Sequence, residues 1–517
     1  MPAATFGSES ESQLKELVIP PISGTSWGNW QGLVRYDQFS RYSIDDTAAD
    51  DLQNWLPQGS SLRQLPGLSS NIATLPAGSA VWVSMQSLSG GVYFFVLATS
   101  GHIYQISLGG TITDVSGGTS LSASSQITNW QGTTILFSDP NVSKIYSWNG
   151  TTFATVFNSQ QASFIAVYQS HLWMAQGNTI TWTDTNSYSS LGGVAGSLAI
   201  TEYDCLTGIN ALIPFNGLLY IFGASFIQVI GNLFVSGSPA VLQFSRYTME
   251  AQIGTVSSFS ILPFGQNLYF ASKYGIWMIN GTIPLKVSQA LDGFFQNLDA
   301  ASSFSSGYCQ INEVPCLCWN VLFNGDSPAT YRTFCMTNSG QWFSAVFGTV
   351  KFISSFNVGG IPTLYGTDGQ NVFSMFTNNA VPVQSVYNTK YWLFGSPIGY
   401  DDIQFLALFM ITTGEVTLTI NYLDNSGNIL SPPSPLLQTG GTNIVWKNDL
   451  SNLITWQNNA ASVIKWSSTA DQNQDVFQFD GPGRLRSFAF NSITVGAGIY
   501  LQSVSVGYKS VEAGWGT

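Results

Sequence analysis

Residues 209–223 read INALIPFNGLLYIFG: an apolar run, an Asn-Gly step, and a second apolar run that opens on leucine. Asn and Gly accept the positive φ of a tight hairpin turn, so the stretch predicts two antiparallel strands joined at Asn216-Gly217. The unit recurs as ITNWQGTTILFS from Ile127, FIAVYQSHLWMAQ from Phe164 and FSILPFGQNLYFAS from Phe259. Weaker copies are GGVYFFVLATSGHIYQI from Gly90 and GIPTLYGTDGQNVFSMF from Gly360. The anchors Tyr93, Leu136, Leu172, Leu219, Leu268 and Leu364 are spaced by 43, 36, 47, 49 and 96 residues, and the last gap holds one more unit around 316–343. Several strands per period of roughly 40 to 50 residues is the pattern of propeller blades. The chain is therefore read as all-β, with a six- or seven-bladed β-propeller over residues 71–388. A pair of large β-sandwiches is the competing arrangement, but it does not require this recurrence.

The flanks differ. Residues 389–517 lose the blade pattern and carry longer alternating runs at 403–411, 415–423 and 487–495, separated by the Pro-rich SPPSP at 431–435. Pro cannot donate to a ladder, so this segment marks a loop or an edge. A C-terminal β-sandwich or jelly-roll-like domain is expected there. Residues 1–70 read as an N-terminal arm with a short helix at 47–55; the first 51 positions hold eight acidic residues against three basic ones.

Composition narrows the function. Charged residues are 9% of the 517 and aromatics 14%, with 51 Gly and 20 Pro. Such a chain favours strands and turns and is too hydrophobic for disorder. The formal net charge of -12 argues against a dedicated nucleic-acid grip, which needs clustered Lys and Arg. The first twenty residues lack the basic start and apolar run of a secretory signal, and no apolar stretch approaches the roughly 20 residues of a spanning helix. The expectation is a soluble protein, or one placed outside cells without a signal peptide.

Reactive constellations are sparse. Asp184, Glu202, Asp204, Glu250 and Asp292 are carboxylates by type, but no spacing pairs them for glycoside hydrolysis. The sialidase-type Ser-x-Asp-x-Gly-x-Thr-Trp turn, GxSxG, P-loop and HExxH motifs are absent, and Arg numbers only seven. The pairs Asp45-Asp46, Asp50-Asp51 and Asp401-Asp402 are adjacent rather than alternate, which suits solvated turns better than calcium loops. Cys309, Cys316, Cys318 and Cys335 cluster in sequence, yet Cys316 and Cys318 sit in the strand-like PCLCWNVLF, which reads as buried packing rather than zinc ligation. His102 and His171 also fall in apparent strands. Arg484 and Arg486 share one face of a strand and read as a charged edge. No catalytic, cofactor or metal residue is assigned.

Residues 209–230 and 253–295 resemble the tail hub or nozzle (packaged-DNA stabilisation) proteins of short-tailed bacteriophages. The matching positions are Phe222-Gly223-Ala224-Ser225, Ile227, Ile253-Gly254, Ala271-Ser272 and Gly275-Ile276-Trp277, together with Arg63, Pro66 and Gly67 in the opening segment LQNWLPQGSSLRQLPGL. The resemblance covers roughly residues 50–300 and is faint beyond. It implies a structural virion protein, made in the host cytoplasm, whose homo-hexameric ring extends the DNA channel below the head-to-tail adaptor. A tail needle or plug and fibres or spikes would attach to it, with DNA passing transiently and non-specifically. It implies no enzyme activity, no cofactor and no membrane span. Six copies would carry about -72 formal charges, six times -12, a wall that repels DNA phosphates. A carbohydrate-binding or glycan-hydrolysing propeller is the alternative, with Trp and Tyr as stacking platforms. The aromatics Trp173, Trp182 and Trp277 sit where blade cores need them, which favours the structural reading.

Overall fold

The computed structural model describes residues 15–377 apart from 20–21, 24–25, 38–42, 203–204, 251, 282, 299–303 and 326–327. Beyond 377 it describes 383–392, 400–412, 416–423, 436–439, 446–447, 453–454, 471–478, 487–494 and 499–511. Two compact units emerge: residues 68–340 with 346–377, and residues 1–67 with 341–345 and 378–517. No described helix is long and apolar enough to cross a membrane.

The larger unit is a seven-bladed β-propeller. Each blade is an antiparallel meander, so hydrogen bonding stays local in sequence. Blade 1 is Ala80–Leu88, Gly91–Ala98, Ile103–Ser107 and Ile112–Asp114. Blades 2 to 5 begin at Gln126, Phe164, Ile209 and Leu262 and repeat the four-strand order. Blade 6 contributes Ser305–Ile311, Val314–Phe323 and Thr330–Thr337. Every anchor residue that revealed the repeat falls in a blade's second strand; Leu219 lies in Leu218–Gly223 and Leu364 in Ile361–Thr367.

Blade 7 closes the ring. Its strands Phe352–Val358, Ile361–Thr367 and Asn371–Ser374 are completed by Ala73–Thr74 from the start of the unit. Ile72 and Leu75 donate their amides to Val372 and Gln370 carbonyls at 2.7 and 2.8 Å. Closure joins the two ends of the repeat, so the circle has no free blade. Neighbouring blades bury apolar faces against each other. Phe94 of blade 1 meets Tyr365 of blade 7 edge-on at 4.8 Å, and Phe222 of blade 4 meets Phe270 of blade 5 at 5.1 Å.

The turns between first and second strands show a rule that the sequence only partly displays. In six blades both turn residues have positive φ: Ser89-Gly90, Gln131-Gly132, Gln169-Ser170, Asn216-Gly217, Asn312-Glu313 and Gly359-Gly360. That is the type I′ geometry whose twist matches antiparallel strands. Glu313 holds φ 70° with an exposed side chain, a conformation that glycine adopts without steric cost. Glu313→Gly is expected to stabilise the protein by about 1 kcal/mol, seen as a raised thermal midpoint, because strain leaves and no buried contact is lost.

The smaller unit is built from both ends of the chain. Lys15–Ile19 and Ser61–Gln64 pair with Ile499–Val511, which also pairs with Tyr400–Thr412. Ala48–Gln53 pairs with Val383–Thr389, which continues through Ser487–Thr494 to Val416–Leu423. This corrects the boundaries 1–70 and 389–517. From residue 15 the N-terminal segment supplies strands to both sheets, and residues 1–14 lie outside the described residues. The short helix expected at 47–55 is instead strand Ala48–Gln53 followed by Trp55–Gln58. The physical reason is local. Asp50 is buried because Arg35 grips it with Nε and Nη2 at 3.1 and 3.0 Å, so AADDLQ runs through an interior as a strand. Two large sheets are thus present beside the two-stranded pairs Ile22–Ser23 with Ser26–Trp27 and Trp446–Lys447 with Leu453–Ile454, and the SPPSP segment lies outside the described residues.

Candidate functional site

The first strands of all seven blades surround a cavity of about 380 Å³ on the propeller axis. Among the described residues its wall is uncharged: Ser, Thr and Gln side chains such as Ser84, Gln86, Gln126 and Thr128 supply polarity together with Tyr308, and Phe and aliphatic side chains supply most of the rest. None of these wall residues is an Asp, Glu, Lys, Arg or His. Several of the polar groups are engaged in holding blades together. Ser354 Oγ accepts the Met85 amide at 3.2 Å, Ser355 Oγ accepts the Tyr308 amide at 3.0 Å, and Ser306 Oγ donates to the Phe259 carbonyl at 2.9 Å.

The axis is obstructed. The segment before blade 5 forms a short 3-10 turn, Ser258–Ser260, which reaches inward. Phe259 packs on Phe352 at 5.1 Å and on Trp82 at 6.0 Å, while Ser258 donates to Gln126 Oε1 at 3.0 Å. Ser258 and Phe259 line both this cavity and a second one of about 220 Å³.

The carboxylates singled out in the sequence do not converge. Of the described ones, Asp184, Glu202, Glu250 and Asp292, none lines the axial cavity. Asp184 accepts the Val194 and Thr185 amides at 3.1 and 2.9 Å, and those bonds hold its carboxyl below the usual range. Glu202 pairs with Arg246 within the rim of blade 4; burial pushes its carboxyl up, but hydrogen bonds and the Arg246 charge outweigh that and leave it low. Glu250 accepts the Gln252 amide at 3.0 Å, and Asp292 pairs with Lys286 at 2.6 Å. Asp204, Arg484 and Arg486 lie outside the described residues. Asp401 and Asp402 lie in strand Tyr400–Thr412, their side chains outside the described set.

Asp50-Asp51 is buried in strand Ala48–Gln53, which corrects the solvated-turn expectation for that pair, whereas Asp45-Asp46 does lie in a solvent-facing turn. Asp46 pairs with Lys390 at 2.6 Å, Asp50 with Arg35, and Asp45 caps Thr47, whose amide and hydroxyl hold its carboxyl low. His171 is buried and bonds the Thr183 carbonyl through Nδ1 at 2.7 Å. His102, Asp114 and Ser116 meet at the rim of blade 1, but Ser116 donates to Asp114 Oδ1 at 2.7 Å and its own amide bonds the same oxygen. Ser116 Oγ also lies 3.3 Å from His102 Nδ1, but its shorter bond is to Asp114, and both His102 and Ser116 are tied to that one carboxylate as a turn motif.

Cys309, Cys316, Cys318 and Cys335 are all buried in blade 6 as free thiols. Burial pushes the Cys335 thiol up to about 11 and the other three well above the ordinary thiol value. Among the described residues no group of three or more His, Cys, Asp or Glu is arranged to hold a metal ion.

What the sequence reading missed lies on the rim. The third and fourth strands of blade 4, Ile227–Ser236 and Val241–Glu250, are ten residues each, longer than their counterparts. The hairpin base is anchored, with Phe244 edge-on to Trp182 at 5.4 Å. Its outer part leaves Phe234 58% exposed, with Val235 and Val241 also exposed, and Tyr247, opposite Val229 nearer the base, is exposed too. On blade 5, Tyr274, Ile283 and Leu285 are exposed as well. The signal was the strand alternation that continues past Ile230 into GNLFVSGSPAVLQFSRY.

No family model matches this chain, and no curated protein does. Solved structures with a similar arrangement include virginiamycin B lyase from Staphylococcus aureus, at 11% identity and a TM-score of 0.41, covering 61% of this chain and 98% of that one. The WD40 repeats of RRP9 align at 10% identity and 0.39, covering 60% and 99%. BamB from Moraxella catarrhalis aligns at 12% and 0.37, covering 65% and 95%.

Proposed function

We propose that this chain is a non-enzymatic virion protein of a short-tailed bacteriophage, six copies of which form the tail hub or nozzle ring below the head-to-tail adaptor. The observation that carries the reading is the exposed apolar hairpin of blade 4. Large apolar side chains at the end of a long, anchored β-hairpin are an assembly surface on a chain with few charges to keep it apart. The residues at 209–230 and 253–295 that resemble the hub family lie in and beside this same blade. The neutral, obstructed axis suits a scaffold better than a catalyst. In this reading duplex DNA passes along the axis of the ring, between subunits, because a cavity of about 380 Å³ is far too small to hold it. The needle or plug and the fibres or spikes attach to that ring.

Native mass measurement with electron-microscopy classes tests this. The expected species is roughly 335 kDa, six times 55.9 kDa, with six-fold symmetry, formed alone or on purified adaptor. The double substitution Phe234→Asp and Val241→Asp is expected to shift the population to the 55.9 kDa monomer with the melting midpoint unchanged. A wild-type chain that stays monomeric with adaptor present, and binds on a glycan array, would replace this reading by the carbohydrate one.

A further inference from the structure

We propose that Cys318 and Cys335 are an oxidisable pair that closes into a cross-strand disulfide within blade 6, with Cys309 as the alternative partner. The register places Cys318 directly opposite Cys335 across the second and third strands, and Cys309 opposite Cys316 across the first and second. Cys316 and Cys318 alternate along one strand and so share a face. The Cys335 and Cys318 sulfurs lie 3.1 Å apart, and the Cys309 and Cys318 sulfurs 3.9 Å apart. Opposed positions on antiparallel strands have Cα separations of about 4.5 to 5.5 Å, inside the span that a disulfide bridges without backbone movement. Closure therefore needs a sulfur shift of about 1 Å and no strand rearrangement. Packing alone does not require one sulfur in contact with two others, as Cys318 is with Cys335 and Cys309; Ala, Val or Ser fill such positions without the redox chemistry.

The oxidant must be small, because Cys318 and Cys335 are fully buried. Hydrogen peroxide suffices. The Cys335 sulfur attacks one peroxide oxygen, the O–O bond breaks, and one water leaves as Cys335 becomes a sulfenic acid. The Cys318 sulfur then attacks that sulfur; the S–S bond forms, the S–O bond breaks, and the second water leaves with the Cys318 proton. Two thiols lose two electrons and one peroxide gains them. The disulfide ties the second strand of the blade to the third without involving the axial cavity, and the inference holds whatever the ring does.

The full-length protein is treated with hydrogen peroxide, denatured with an alkylating agent and digested with trypsin. Cleavage after Lys286, Arg332 and Lys351 separates Cys318 from Cys335, so the expected product is peptide 287–332 joined to peptide 333–351. Cys309→Ser keeps this product. Cys335→Ser loses it and instead shows peptide 287–332 lighter by two hydrogens, the Cys309–Cys318 bond. The oxidised wild type is expected to melt roughly 5 °C higher, reversed by dithiothreitol. Alkylation of all five thiols after peroxide treatment would overturn the proposal. So would oxidation of Cys335 to the sulfinic acid without the joined peptide.

Discussion

Leu75→Pro is expected to lower the melting midpoint of the propeller by roughly 10 °C, and Leu75→Ala by little more than half as much. Leu75 is buried against blades 1 and 7, and its amide donates to the Gln370 carbonyl at 2.8 Å beside the two-residue closing strand Ala73–Thr74. Other bonds between the two ends of the repeat include the Ala80 amide to the Gly369 carbonyl at 2.6 Å and the Ser374 amide to Ser69 Oγ at 2.9 Å. Ile72 bonds Val372 at 2.7 Å, Thr74 Oγ1 donates to Asn371 Oδ1 at 2.8 Å, and the Ser69 amide reaches the Ser374 carbonyl at 2.9 Å. Truncation to Ala removes apolar burial worth about 2 to 3 kcal/mol. Proline removes the burial and also the donor, so the bond to the Gln370 carbonyl is lost at a further cost of about 1 to 2 kcal/mol. Thermal melts of the two variants decide the matter. Equal midpoints would show that blade 7 closes by side-chain packing alone.

Trp319→Ala is expected to cost about 4 kcal/mol, and Trp319→Phe about 1 to 2 kcal/mol. Trp319 is fully buried in blade 6, 6.1 Å from the Tyr269 ring of blade 5. Its Nε1 donates to the Ser260 carbonyl at 3.1 Å, at the end of the turn that carries Phe259 onto the axis. One side chain thus fills the space between two blades and fixes the axial obstruction. Phe keeps most of the volume but leaves Ser260 without this donor, so the gap between the two variants measures the bond. Denaturant titrations of both check the values; a Trp319→Phe cost equal to that of Trp319→Ala would mean that packing is not the larger part.

Much of the propeller was legible because its determinants are local. Each blade is one meander of strands and tight turns, so its signal fits within about 45 residues and then repeats. The anchors from Tyr93 to Leu364 fell in second strands, and Trp173 and Trp182 fell in the core, as blade packing requires. Turns were legible where Asn-Gly marked them. They were hidden at Gln169-Ser170 and Asn312-Glu313, where neighbouring strands impose a positive φ on residues that do not prefer it.

The sequence by itself determined the all-β propeller class, the recurrence of the blade and the buried state of the cysteines. The tertiary structure alone decided four things. It gave seven blades, because the closing strand Ala73–Thr74 is too short to carry a pattern and gains its meaning from Asn371 and Val372 almost 300 residues away. It turned AADDLQ from a helix into a strand, because Arg35 neutralises Asp50 at a distance of fifteen residues. It dispersed the carboxylates and set Ser258–Ser260 across the axis. And it left Phe234, Val235, Val241 and Tyr247 exposed, since period-two alternation tells which residues share a face but not whether anything covers that face.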